Sequence, residues 1–145
     1  MITIHIIVPD APRAAEWYRT VLGAKERSRI TLPDGRLIHL ELAFGASTFM
    51  VADEFPEHHA LSPKTTGVTS AVFYVQTDDV DALWARALAN GAEVLRPLAD
   101  SFWGEREGQV VDPFGHRWGL SQHVRDVPIE EMSRLAADVF GGAST

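Results

Sequence analysis

Residues 103–123 read Trp-Gly-Glu-Arg-Glu-Gly-Gln-Val-Val-Asp-Pro-Phe-Gly-His-Arg-Trp-Gly-Leu-Ser-Gln-His, and this stretch decides the fold. Gly104 and Gly108 punctuate its start, and Asp112-Pro113-Phe114-Gly115 separates two short apolar runs. Pro113 pre-sets its own φ for a turn, and Gly115 tolerates a positive one. Gln109-Val110-Val111 and Arg117-Trp118-Gly119-Leu120 are therefore expected to pair as an antiparallel hairpin.

Working outward, this hairpin closes a unit that starts at a strand over Ser70–Gln76. Asp78 is the expected helix cap, and Val80, Leu83, Trp84, Ala87 and Leu88 form the helical stripe. Gly91-Ala92 then leads into strand Glu93-Val94-Leu95. The first half has the same order. A strand over residues 2–8 is followed by Asp10 as N-cap and by a stripe of Ala14, Trp17, Tyr18, Val21 and Leu22 ending at Gly23. After a polar stretch, Pro33-Asp34-Gly35 turns into strand Arg36–Phe44, and Gly45-Ala46-Ser47 turns into Thr48–Val51. The stripes repeat at a spacing of 66 and the glycines at 68, which predicts a second helix about half a turn longer than the first. Such a repeat makes the chain a duplicated βαβββ of α+β class.

The expected layout is one domain: module 1 over about 1–53, a linker over 54–67, module 2 over about 68–124 and a C-terminal helix over about 128–140. That helix carries Ile129, Met132, Leu135, Ala136 and Val139 on one stripe and stops at Gly141-Gly142; it packs on its own subunit or makes a dimer contact. The 145 residues include no cysteine, so a disulfide, a thiol nucleophile and a thiolate metal site are excluded. A net charge of −7 argues against nucleic acid and anionic lipid surfaces. No run is long and apolar enough for a membrane span, and a cytoplasmic location is the expectation.

The terminal hairpin with Asp112-Pro113-Phe114-Gly115-His116, preceded by Gly104-Glu105-Arg106 and closing on His123, resembles the vicinal-oxygen-chelate superfamily of glyoxalase I, bleomycin-resistance proteins and extradiol dioxygenases, most nearly its PhnB-like branch. The likeness spans residues 2–132. It implies that the two modules form an eight-stranded half-open cup, that the cup is the site, and that the protein pairs as a homodimer. It also implies four metal-ligand positions, one on the first and one on the last strand of each module. Matched onto this chain they fall at Thr3, Phe49 or Met50, Ser70 and Gly119. None is a strong ligand for a divalent ion, so no cofactor is expected.

The candidate ligand-binding residues are His5, His39, Glu41, Trp103, Arg106, Trp118 and His123. His5 shares strand parity with Thr3, and His39 and Glu41 share a face. Tryptophan offers a flat surface and arginine a planar fork; the bland alternatives are a core Trp118 and an Arg106 paired with Asp112 or Glu105. No serine lies in a Gly-x-Ser-x-Gly elbow, and no glycine-rich nucleotide loop follows a strand. Two main readings stay open. One is a metal-free small-molecule binder for an aromatic or cationic ligand. The other is a glyoxalase-like lyase or isomerase, or a dioxygenase, with a divalent metal at a set such as His5, His39 and Glu41. Catalysis itself is undecided by the sequence. A third reading, a non-catalytic interaction protein acting through the C-terminal helix, rests on that stripe alone.

Overall fold

The computed structural model describes residues 1–141. Strand β1 (Ile4–Val8), helix α1 (Ala11–Leu22) and strands β2 (Lys25–Thr31), β3 (Leu37–Phe44) and β4 (Ser47–Asp53) form the first module. β5 (Val72–Gln76), α3 (Val80–Ala89), β6 (Glu93–Asp100), β7 (Glu105–Val111) and β8 (Arg117–His123) form the second. Each module is a four-stranded mixed sheet, in the orders β1-β4-β3-β2 and β5-β8-β7-β6. First and last strands pair in parallel, and the other neighbours are antiparallel. The two sheets stay open, consistent with a cup.

Helix α1 starts as its sequence dictates, with the Asp10 carboxylate accepting from the Arg13 amide at 3.2 Å. Gly23 closes it at φ 73°, a conformation glycine reaches without strain. In the second module the cap is Asp79 rather than Asp78: its carboxylate accepts from the Ala82 amide at 3.1 Å. Nor is the second helix longer, since it has 10 residues against 12. The physical repeat is 69 residues in the first strand, helix and last strand, because Asp10 corresponds to Asp79 and Phe49 to Trp118. Leu88, assigned to the buried stripe, is 37% exposed, and Trp84 is only partly buried.

The same symmetry governs how the modules meet. Trp17 Nε1 donates to the Asn90 carbonyl at 2.8 Å, and Arg86 Nε donates to the Val21 carbonyl at 2.9 Å. Trp17 and Arg86 are equivalent positions, and so are Val21 and Asn90, so the helix C-termini cross reciprocally. The last strands also act alike. The Asp53 carboxylate accepts from the Ala11 and Leu37 amides, both at 2.7 Å, and Gln122 Oε1 accepts from the Val80 amide at 3.0 Å. Each satisfies a helix N–H that has no intrahelical partner.

One core runs through both modules. Tyr18 is fully buried, with ring centroids 5.6 Å from Phe49 and 5.5 Å from Trp118. The linker is more ordered than its composition suggests. It holds a 3₁₀ turn at Pro56–His58 and the short helix α2 (Pro63–Thr66), pinned by Glu54 Oε1, which accepts from the Ser62 amide and hydroxyl and from the Thr65 hydroxyl. These donors hold the Glu54 carboxyl below the usual carboxylate range. Helix α4 (Ile129–Ala136) continues in a wider turn to Gly141. Gly142, the second residue of its expected stop, lies outside the described residues.

Candidate functional site

Strand alternation separates each sheet into a face toward its helix and a face away from it. In the first sheet the outer face carries His5, Met50 and Glu41 in one row, since His5 pairs with Met50 and Met50 with Glu41. His39 stands one row along on the same face, and its Nε2 lies 3.0 Å from the Ser28 hydroxyl. Partial burial, with the nearby His39 adding to it, lowers the His5 pKa and favours the neutral imidazole. The structure thus gathers three of the seven candidates on one surface.

The other four disperse. Trp118 points inward, 6% exposed among Tyr18, Phe49 and Phe73, and donates from Nε1 to Asp112 at 2.9 Å. Arg106 lies on the helix side of the second sheet, bonded to Asp81 at 2.9 Å and Asp100 at 3.3 Å rather than to Asp112 or Glu105. Trp103 packs edge-on to Phe102 in the loop before β7, with centroids 4.7 Å apart. His123 is held between two carboxylates: Nδ1–H donates to Glu105 at 2.9 Å and Nε2–H to Asp126 at 2.7 Å. Both bonds require the imidazolium, and the two acceptors raise the His123 pKa.

The hairpin motif itself is structural. Asp112 is 1% exposed and accepts from the Tyr18 hydroxyl, Trp118 Nε1 and the Phe114 and His116 amides. His116 is 6% exposed, and its Nε2–H donates to the Ile7 carbonyl at 2.7 Å, tying the second module to the open edge of β1.

Strand register also revises the metal positions. Beside Met50 stands His5, not Thr3, and beside Gly119 stands Tyr74, not Ser70. His5, Met50, Tyr74 and Gly119 therefore occupy the four equivalent places. One imidazole, a thioether, a phenol and no side chain do not fit a divalent ion, which takes several oxygen or imidazole donors. Among the described residues no three His, Asp or Glu side chains are grouped to hold one.

An apolar cleft of about 480 Å³ opens between β1 and β5, walled by Ile4, Ile6, Phe44, Phe49, Phe73 and Trp118. Phe44 and Phe73 are not among the candidates, and Phe49 is one only as a matched metal position: each reads locally as an ordinary apolar strand residue, and only the meeting of the modules assembles them. Tyr74 also lines this cleft, and its ring lies over Gly119, where a Cβ would collide with it. Its hydroxyl accepts from Gln109 Nε2 at 3.0 Å and from Arg96 at 3.3 Å. Its counterpart in the first module is His5, which is the signal that could have found it.

Two open βαβββ sheets meeting across helix C-termini define a glyoxalase-type fold. Residues 2–120 match the Glyoxalase/Bleomycin resistance protein/Dioxygenase superfamily, and the chain belongs to it. The uncharacterized protein Rv0887c of Mycobacterium tuberculosis is 40% identical over 131 residues, which are 88% of this chain and 77% of the relative. The crystal structure of protein PA1353 from Pseudomonas aeruginosa is similar with TM-score 0.73 at 20% identity, over 86% of this chain and 98% of that one. The PhnB protein of Bacillus cereus, described as a putative 3-demethylubiquinone-9 3-methyltransferase, is similar with TM-score 0.64 at 19% identity, over 83% and 98%. Both structural likenesses carry the fold alone.

Proposed function

We propose that this chain is a small-molecule-binding member of its superfamily that holds an aromatic ligand in the cleft between β1 and β5 without a divalent metal. The observation that carries this reading is the cleft wall: Phe44, Phe49, Phe73 and Trp118 around about 480 Å³, with no carboxylate among the lining residues. Flat aromatic walls reward planar apolar ligands through area and ring geometry. The missing carboxylate favours an aromatic ligand over a cationic one. Metal-free binding is supported by the donor set His5, Met50, Tyr74 and Gly119. The lyase, isomerase or dioxygenase alternative needs a metal set such as His5, His39 and Glu41, and among the described residues no three His, Asp or Glu side chains are grouped to hold an ion.

A homodimer is part of the proposal. Strands β2 and β6 are exposed along almost their whole length, and α4 makes no sustained contact with the strands or other helices, although Ile129 and Phe140 are 67% and 74% exposed. No helix among the described residues is long and apolar enough to cross a membrane.

The test is a fluorescence titration of the four tryptophans with naphthalene, quinoline and indole compounds. Saturable quenching, lost when Thr48→Phe fills the cleft mouth, is expected; quenching by none of them, or quenching unchanged in that variant, overturns the reading.

A further inference from the structure

We propose that a second concavity, a trough on the outer face of the second sheet, binds the carboxylate of a small organic acid. The trough measures about 760 Å³ and lies between Arg96, Gln109 and Arg117 on the sheet and the segment around Pro63 and Val68. In a chain of net charge −7, two guanidiniums and no carboxylate line it.

The two arginines differ in how their charge is met. Arg96 donates to Glu107 at 2.8 Å, and Glu107 is 7% exposed, so that positive charge is balanced within the protein. Arg117 has no carboxylate partner among the described residues. Among the described residues its one side-chain bond is from Nη2 to Gln109 Oε1 at 2.8 Å, and its buried Nε–H meets no acceptor. Nη1 makes no hydrogen bond among the described residues and is not buried, so it is the part of the fork that an acceptor in the trough can reach. Gln109 is fixed in turn, because its amide nitrogen donates to the Tyr74 hydroxyl. The guanidinium is therefore oriented by a network and not swinging in solvent.

The uncompensated charge amounts to one guanidinium, which matches a monoanion and not a dianionic phosphate. The planar guanidinium fork suits a carboxylate. Val68, Leu95 and Val111 form the remaining wall and suit the apolar body of an organic acid. This site is separate from the apolar cleft, so either can fail without the other.

The experiment follows the arginine Nε–H resonances of the ¹⁵N-labelled full chain during titration with sodium benzoate, neutral benzamide and inorganic phosphate. Expected are a saturable shift of the Arg117 resonance with benzoate, none with benzamide, and, followed on the Arg96 resonance, affinity at least about tenfold weaker in Arg117→Gln. Leu95→Trp, which fills the trough without touching the network, is expected to abolish the response and covers the case in which Arg117→Gln does not fold. No saturable shift with benzoate, equal binding in Leu95→Trp, or a response to phosphate alone would overturn the proposal.

Discussion

The Tyr18 hydroxyl donates to Asp112 Oδ2 at 2.6 Å across 94 residues of sequence, joining the helix of one module to the hairpin turn of the other. Both groups are fully or almost fully buried. Burial and the Asp112 charge push the Tyr18 pKa well above its ordinary value, so the phenol stays a donor. Tyr18→Phe should cost about 1–2 kcal/mol, because Asp112 keeps its other donors. Asp112→Ala strands four donors and should cost about 3 kcal/mol or more. Urea denaturation of both variants checks the order, and equal costs would show that the carboxylate is not the hub.

Gly119 has no side chain because the Tyr74 ring occupies that space. Gly119→Ala is expected to displace the ring and destabilise by about 1–3 kcal/mol. In the Tyr74→Ala background most of that cost should vanish, a coupling that a double-mutant cycle reads directly. Additive costs would contradict the contact.

The His123 clamp makes stability depend on pH. Its folded-state pKa is raised by Glu105 and Asp126, so the contribution is fully present below the unfolded value of about 6.5 and is lost as pH rises through the folded pKa. His5 has the opposite sign: its lowered pKa means that the unfolded chain binds the proton first, so stability falls as pH drops below about 6.5. Denaturation midpoints between pH 5 and 8 should flatten at the alkaline end in His123→Gln and at the acid end in His5→Gln, and a profile unchanged in both would remove these assignments.

Much of this architecture is legible locally. Asp10, Gly23 and the Asp112–Gly115 turn act within a few residues, and their chemistry is the same in any fold. The repeat is legible too, but the apolar stripes give its length as 66, whereas the capping Asp10 and Asp79 set it at 69. An apolar stripe can be realigned by almost one turn and still look like a stripe, while a cap cannot. The site is less legible. Trp118 and Arg106 stand on alternating strands whose parity is plain, but which parity faces the helix depends on sheet packing. The Arg117–Gln109–Tyr74 network joins three strands, and nothing local marks it.

Helix α4 is expected to form the subunit contact. Removing residues 128–145 should convert a dimer to a monomer in light scattering while leaving the circular dichroism of the modules unchanged. A truncated chain that still dimerises would place the contact on the exposed strands instead.

The most direct measurement is native mass spectrometry of untagged protein, purified without added metal and then incubated with the best aromatic compound from the fluorescence panel. The expected spectrum shows that compound bound at one per chain with no divalent ion, and loss of the complex in Thr48→Phe. One divalent ion per chain, removed together with ligand binding by a chelator, would contradict metal-free binding in the β1–β5 cleft and make His5, His39 and Glu41 the residues to mutate first.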